Sequence, residues 1–197
     1  MSANNANVGP TKGDVVEERV DVKTEEIRSA LRRMAKRMKL GDDSQILHWV
    51  IPGELACGQR PLRHHALYGG SGKNIEPAAA PLVKKWAAHL QLLGIRSIIS
   101  LMHARDLSYY ERLDLGASTL LDFYKAQGFE VVHLPWEDPH HSKTSPDEVH
   151  KTLVAIRKEA LQAYNRLPKP VLVQCSAGID RTAPVAAYIS MLSGTSR

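Results

Sequence analysis

The chain has 197 residues, 43% of them hydrophobic and 24% charged, with a formal net charge of +5. That composition can fill the core of one domain of ordinary size and excludes global disorder. No run approaches the roughly 18 consecutive apolar residues a membrane span needs, and two cysteines, Cys57 and Cys175, are too few for a disulfide scaffold.

Met1 to Val22 is rich in Asn, Gly and charge and lacks an apolar signal-peptide core, so it is expected to be disordered. A helix is predicted from Thr24-Glu25-Glu26, with a cap and an acidic first turn. Its apolar positions Ile27, Leu31, Met34 and Met38 repeat at helical spacing, with Arg28, Arg32, Arg33, Lys36, Arg37 and Lys39 among them. The helix either packs on the domain, which is the favoured reading, or docks its basic amphipathic face on an acidic membrane surface or a partner. Gly41-Asp42-Asp43 ends it. Residues 1–44 thus read as a polar tail and basic helix, and 45–197 as the folded domain.

Gln45 to Ile51 is a first strand, closed by Pro52-Gly53. Glu54 to Pro61 follows. Gly69-Gly-Ser-Gly-Lys73 lacks both the spacing and the preceding strand of a nucleotide-binding loop, and reads as surface loop. Pro81 to Leu93 is a helix stopped by Gly94, and Ile95 to Leu101 a buried strand. Leu107 to Gln127 is read as mostly helical with a break near Gly116. Phe129 to Pro135 is the next strand, and Ser145-Pro146-Asp147-Glu148 starts a helix with proline in its first turn. Helix and strand alternate throughout, so the fold class is α/β: a single domain with a central, largely parallel sheet flanked by helices.

The most informative stretch is Val171-Leu-Val-Gln-Cys175-Ser-Ala-Gly-Ile-Asp-Arg181-Thr182. A β-branched run ends in a cysteine, and an arginine and a hydroxyl residue open a helix after five intervening residues. Backbone N–H groups of such a loop, with the helix dipole, hold a phosphate-like oxyanion. The same field stabilises a thiolate at Cys175, while the planar fork of Arg181 can grip two phosphate oxygens.

This stretch resembles the Cys-x5-Arg-Ser/Thr phosphate loop of the cysteine-dependent phosphatases, the protein tyrosine and dual-specificity phosphatase superfamily. Cys175, Gly178, Arg181 and Thr182 all match. Glu54 to Pro61 (Glu-Leu-Ala-Cys-Gly-Gln-Arg-Pro) is similar to the short entry strand and Gly-Gln-x-Pro turn near the start of many dual-specificity phosphatase domains. The resemblance spans roughly Leu55 to Leu192 and implies that 45–197 is a phosphatase-like catalytic domain.

By that resemblance Cys175 is the nucleophile. The loop N–H groups of Ser176, Ala177, Gly178, Ile179 and Asp180, together with Arg181, bind the substrate phosphate. Thr182 hydrogen-bonds the sulfur as it leaves. The general acid belongs on a loop before the cysteine, and Pro135-Trp-Glu-Asp138-Pro-His-His141-Ser142 follows a strand at the same sheet edge. Asp138 is the best match there and Glu137 the runner-up. His140 and His141 read as loop surface. His64-His65 lack a third metal ligand, and His103 and Arg105 are placed to line the cleft. No cofactor or metal is implied.

Three departures stand out. Gln174 occupies the position where the family usually has histidine, Ala183 replaces a frequent glycine, and Asp180 precedes the arginine, as is common in phosphoinositide phosphatases and in some bacterial broad-specificity members, though the loop interior Ser-Ala-Gly-Ile-Asp lacks the extra basic residues the lipid enzymes often carry. Cys57 reads as a core residue or as a redox partner of Cys175. The chain stops soon after the phosphate-loop helix, as a fragment or a minimal domain would. The expected substrate is a phosphorylated protein or small phosphoester. Alternatives are an inositol phosphate or phosphoinositide substrate, and a phosphate-binding pseudophosphatase. A rhodanese-like sulfurtransferase or an arsenate reductase fits the loop's sequence or position less well. With 6% aromatics and no nucleic-acid motif, nucleic-acid binding is not expected, and the location is expected to be cytoplasmic.

Overall fold

In a computed structural model of the chain, residues 12–70, 72–140 and 143–193 are described. Five strands form one sheet: β1 (Leu47–Ile51), β2 (Leu55–Gln59), β3 (Ser97–Ser100), β4 (Glu130–His133) and β5 (Val171–Cys175), in the order β1-β2-β5-β3-β4. β1 runs antiparallel to β2, and every other pairing is parallel. The helices are α1 (Lys12–Lys39), α2 (Ala80–Leu92), α3 (Ala104–Ser108), α4 (Leu120–Ala126), α5 (Pro146–Arg166) and α6 (Thr182–Leu192). The architecture is the α/β domain expected from the alternating pattern.

β2, β3 and β5 are buried along their whole length, as parallel strands covered on both faces must be. Alternate residues feed two clusters. Ala56, Ile98 and Leu172 pack with α1, α2 and α4, including Leu31, Trp86 and Phe123. Leu55, Ile99, Val171 and Val173 pack with Ile156 and Ala160 of α5 and Val185 and Ile189 of α6. The register sets Ser100 opposite Gln174 and Gln59 opposite Cys175. The loops leaving the carboxyl ends of β2, β3, β4 and β5 therefore emerge on one edge of the sheet, the edge where ligands sit in such folds.

Two expectations change. Residues 12–22 are helical rather than disordered, and residues 1–11 lie outside the described residues. Thr24 is not a cap: it is buried in mid-helix, and its hydroxyl donates to Val20 O at 2.8 Å. The apolar stripe runs back through Val20 and Val16, hidden in the sequence among charges. Glu17 ties this end down through Arg157 Nη1 at 3.0 Å, and Arg157 Nε donates to Pro184 O. The second change concerns residues 107–127. They hold only the end of α3 and all of α4, joined by an irregular segment that Tyr109, Tyr110, Leu113 and Leu115 anchor in the core. Gly116 (φ +72°) turns the chain there, its N–H donating to Asp114 Oδ1, and the Thr119 hydroxyl caps α4 by accepting from Asp122 N.

The apolar face of α1 is spent on the core, with Ile27 and Leu31 each 1% exposed. Among the described residues no helix is long and apolar enough to cross a membrane. Ile27→Ala or Leu31→Ala should lower unfolding free energy by about 2–5 kcal/mol. Val22→Ala, at an exposed position of the same helix, should change it by less than about 0.5 kcal/mol. Urea denaturation of the three variants checks the difference.

Candidate active site

Cys175 is the last residue of β5, and Thr182 the first of α6. Residues 176–181 bridge them, so the loop begins at the cysteine and ends at the N-terminus of α6. Gly178 makes this loop possible. It adopts φ +75°, and a Cβ there would stand 2.6 Å from the carbonyl carbon and oxygen of Gly58. The loop rests directly on the backbone at the end of β2, with no room for a side chain.

Each loop residue has a defined partner or place. Ser176 O accepts from Arg60 N at 3.1 Å, and Ser176 Oγ accepts from Arg60 Nε at 3.2 Å. Ala177 O accepts from His64 Nε2 at 3.2 Å. Ile179 packs against the core, and its carbonyl accepts from Ala183 N at 3.0 Å. Asp180 Oδ1 lies 3.8 Å from Nε2 of the exposed His140. The Thr182 hydroxyl is buried and makes no hydrogen bond among the described residues, so no bond to the Cys175 sulfur is formed in this state.

Arg181 is 2% exposed and is the hub of the site. Nη1 donates to Asp106 Oδ2 at 2.8 Å, to Trp136 O at 2.7 Å and to Leu101 O at 3.3 Å. Nη2 lies 3.9 Å from Asp138 Oδ2. The loops after β3, β4 and β5 thus converge on one guanidinium. Burial alone would raise the Asp106 carboxyl. The hydrogen bond and charge of Arg181 outweigh it and hold Asp106 below the usual carboxylate range. Burial likewise opposes the charge on Arg181, and Cys175, Asp106 and Asp138 together favour it.

Asp138 is about one-third exposed and accepts from His140 N at 3.1 Å, which shapes the turn that follows it. Asp138 and Glu137 face a cavity of about 110 Å³ together with Ser176, Arg63, His103 and Arg105. The pairing of His103 and Arg105 with this cleft matches the expectation from their position after β3. His141 and Ser142 lie outside the described residues.

Some residues at the site carried no such expectation in the sequence. Asp106 accepts from His103 N as well as from Arg181, closing the first turn of α3. A His-x-x-Asp pattern just after a buried strand was the available signal. Arg60 and His64 come from the turn after β2 and touch the loop only through the fold. His64 is buried, and its bond to a carbonyl requires the Nε2–H tautomer. Among the described residues no group of three or more His, Cys, Asp or Glu side chains could hold a metal ion. Cys57 pairs in register with Val173 rather than Cys175, and both cysteines are free and buried. Burial pushes the Cys57 thiol far up, with the charge of Cys175 adding to it, so Cys57 stays protonated.

Gly178→Ala should destabilise the fold by about 1–3 kcal/mol, combining the left-handed φ with the contact on Gly58, and should weaken phosphate and vanadate binding. Melting curves and isothermal titration test both. His64 yields a pH signature. Burial foremost, then Arg63, Lys39 and Arg60, lowers it from 6.5 to about 4. Between those values the unfolded chain binds a proton that the folded chain refuses, so stability falls as pH drops from 6.5 toward 4. His64→Gln, which retains a donor for Ala177, should flatten that part of the stability–pH curve.

The family model for protein-tyrosine phosphatase matches residues 122–197, a segment that takes in β4, the Asp138 loop, α5, β5, the phosphate loop and α6. A search of curated proteins gave no match.

Proposed function

We propose that this chain, which belongs to the protein tyrosine and dual-specificity phosphatase superfamily, hydrolyses phosphomonoesters through a cysteinyl-phosphate intermediate. The convergence on Arg181 carries this reading. One buried guanidinium holds the carboxyl end of the loop that starts at Cys175 and draws in Trp136 and Asp138 of the acid loop.

The steps follow from the groups present. The Cys175 thiolate attacks phosphorus in line with the ester oxygen, forming an S–P bond as the P–O bond breaks. Arg181 and the inward N–H groups of residues 176–181 carry the charge on the equatorial oxygens. Asp138 gives its proton to the departing oxygen, with Glu137 as the neighbouring carboxyl. In the second step Asp138 takes a proton from water, the water oxygen attacks phosphorus, and the thiolate leaves inorganic phosphate behind. The buried, unpartnered Thr182 hydroxyl is a donor in reserve for the sulfur as its charge returns.

The substrate is a phosphorylated protein or small phosphoester. One observation favours a second reading. Arg63 is half-buried on the cavity wall, makes no ion pair among the described residues, and so suits a further phosphate on an inositol phosphate or phosphoinositide. The basic outer face of α1 leaves docking to an acidic membrane surface as part of that proposal.

Release of phosphate from an aryl phosphate tests the reaction. Cys175→Ser should abolish turnover, and Asp138→Asn should lower kcat by about 10²–10⁴-fold. Wild-type protein that binds vanadate without turnover would instead be a phosphate-binding pseudophosphatase. An inositol bisphosphate compared with phosphotyrosine separates the two substrate readings.

A further inference from the structure

Gln174 precedes the nucleophile, and its side chain does not reach into the loop. It is fully buried beside the Tyr124 hydroxyl and forms no well-made hydrogen bond. The phosphate loop is braced from another direction, by the turn after β2.

Arg60 N donates to Ser176 O, and His64 Nε2 to Ala177 O. In a trans peptide the C=O and N–H point to opposite sides. Holding these two carbonyls outward turns the N–H groups of Ala177 and Gly178 away from residues 60–64 and into the loop. The turn itself is held in an unfavourable shape, because Leu62 adopts φ +61°, a left-handed conformation that a leucine rarely takes.

The Arg60 side chain adds charge to this geometry. It is 1% exposed. Nε donates to Ser176 Oγ, Nη1 to Tyr110 OH at 3.1 Å and Nη2 to Gly70 O at 3.2 Å, and the guanidinium lies 4.8 Å from the Tyr109 ring centroid. Every one of these partners is neutral, since burial pushes the Tyr110 hydroxyl up to about 12. No carboxylate among the described residues forms an ion pair with Arg60. A buried cation without a counter-charge is costly to the fold. The reaction brings two anions to the adjacent loop, the Cys175 thiolate and the substrate phosphate.

We propose that Arg60 is a positioning residue of the phosphate loop: it fixes the Ser176 peptide with its carbonyl outward and places a permanent positive charge behind the loop for the thiolate and phosphate. It does so where Gln174 offers no hydrogen bond to the loop. The inference rests on the phosphatase reading of this site.

The test uses the full, reduced chain and two readouts: the pH dependence of Cys175 alkylation by iodoacetamide, followed on the Cys175 peptide, and vanadate affinity. Arg60→Met should move the alkylation midpoint up by about one pH unit and weaken vanadate about tenfold. Arg60→Lys keeps the charge and loses the fork, so the midpoint should return toward wild type while vanadate stays about fivefold weaker. A folded Arg60→Met with a lower melting temperature but wild-type midpoint and affinity would show a purely structural role and overturn the proposal. Should Arg60→Met fail to fold, wild-type behaviour of Arg60→Lys in vanadate binding overturns it equally. If wild type neither binds vanadate nor releases phosphate from an aryl phosphate, the phosphatase reading falls first. If wild type does both and the variants match it, only the role of Arg60 falls.

Discussion

Nη1 of Arg181 donates at once to Asp106, to the Trp136 carbonyl and to the Leu101 carbonyl. These partners follow β3 and β4, while Arg181 itself follows β5. Three loops that would otherwise end independently at the sheet edge are thereby fixed to one another. Removing Asp106 would leave a buried cation with two carbonyl partners and only the more distant Asp138 carboxylate to balance it, a costlier change than losing a surface ion pair. The geometry around Cys175 depends on this guanidinium before any substrate arrives.

The site holds its charges in two different ways. Arg181 is matched by Asp106 and approached by Asp138, so its burial is compensated within the protein. Arg60, one strand away, faces only neutral oxygens and aromatic rings. Across the mouth, His140 of the acid loop approaches Asp180 of the phosphate loop, a more exposed pair that is ionic only when the histidine is protonated. Tight charge lies beneath the loop, and loose charge lies around its rim.

The loop from Cys175 to Thr182 was legible in the sequence because its pattern is local. Cys175, Gly178, Arg181 and Thr182 lie within eight consecutive positions, and the strand before them and the helix after them both announce themselves in residue type. Asp138 was legible through its distance from that loop and the strand that precedes it. Arg60, His64 and Asp106 were not, because 116, 113 and 75 residues separate them from the loop atoms they touch, and no periodicity encodes such a contact. The start of α1 was concealed by charge: Val16 and Val20 continue the stripe of Ile27 and Leu31, but glutamates and an arginine dominate the composition around them. Between α3 and α4 the error ran the other way. Buried Tyr110, Leu113 and Leu115 resemble helix spacing, yet they anchor an irregular segment shaped by Gly116 and Thr119.

The strand order has a consequence for how the molecule opens. β5 is the middle strand, bonded to a parallel neighbour on each side and buried at every residue, whereas β4 is an edge strand with its two ends exposed. Amide protons of β5 should exchange with solvent more slowly than those of β4. Cys175 therefore ends the strand held from both sides, and Asp138 follows the strand held from one. A fluctuation that frees the edge strand can leave the central strand, and the loop it carries, undisturbed.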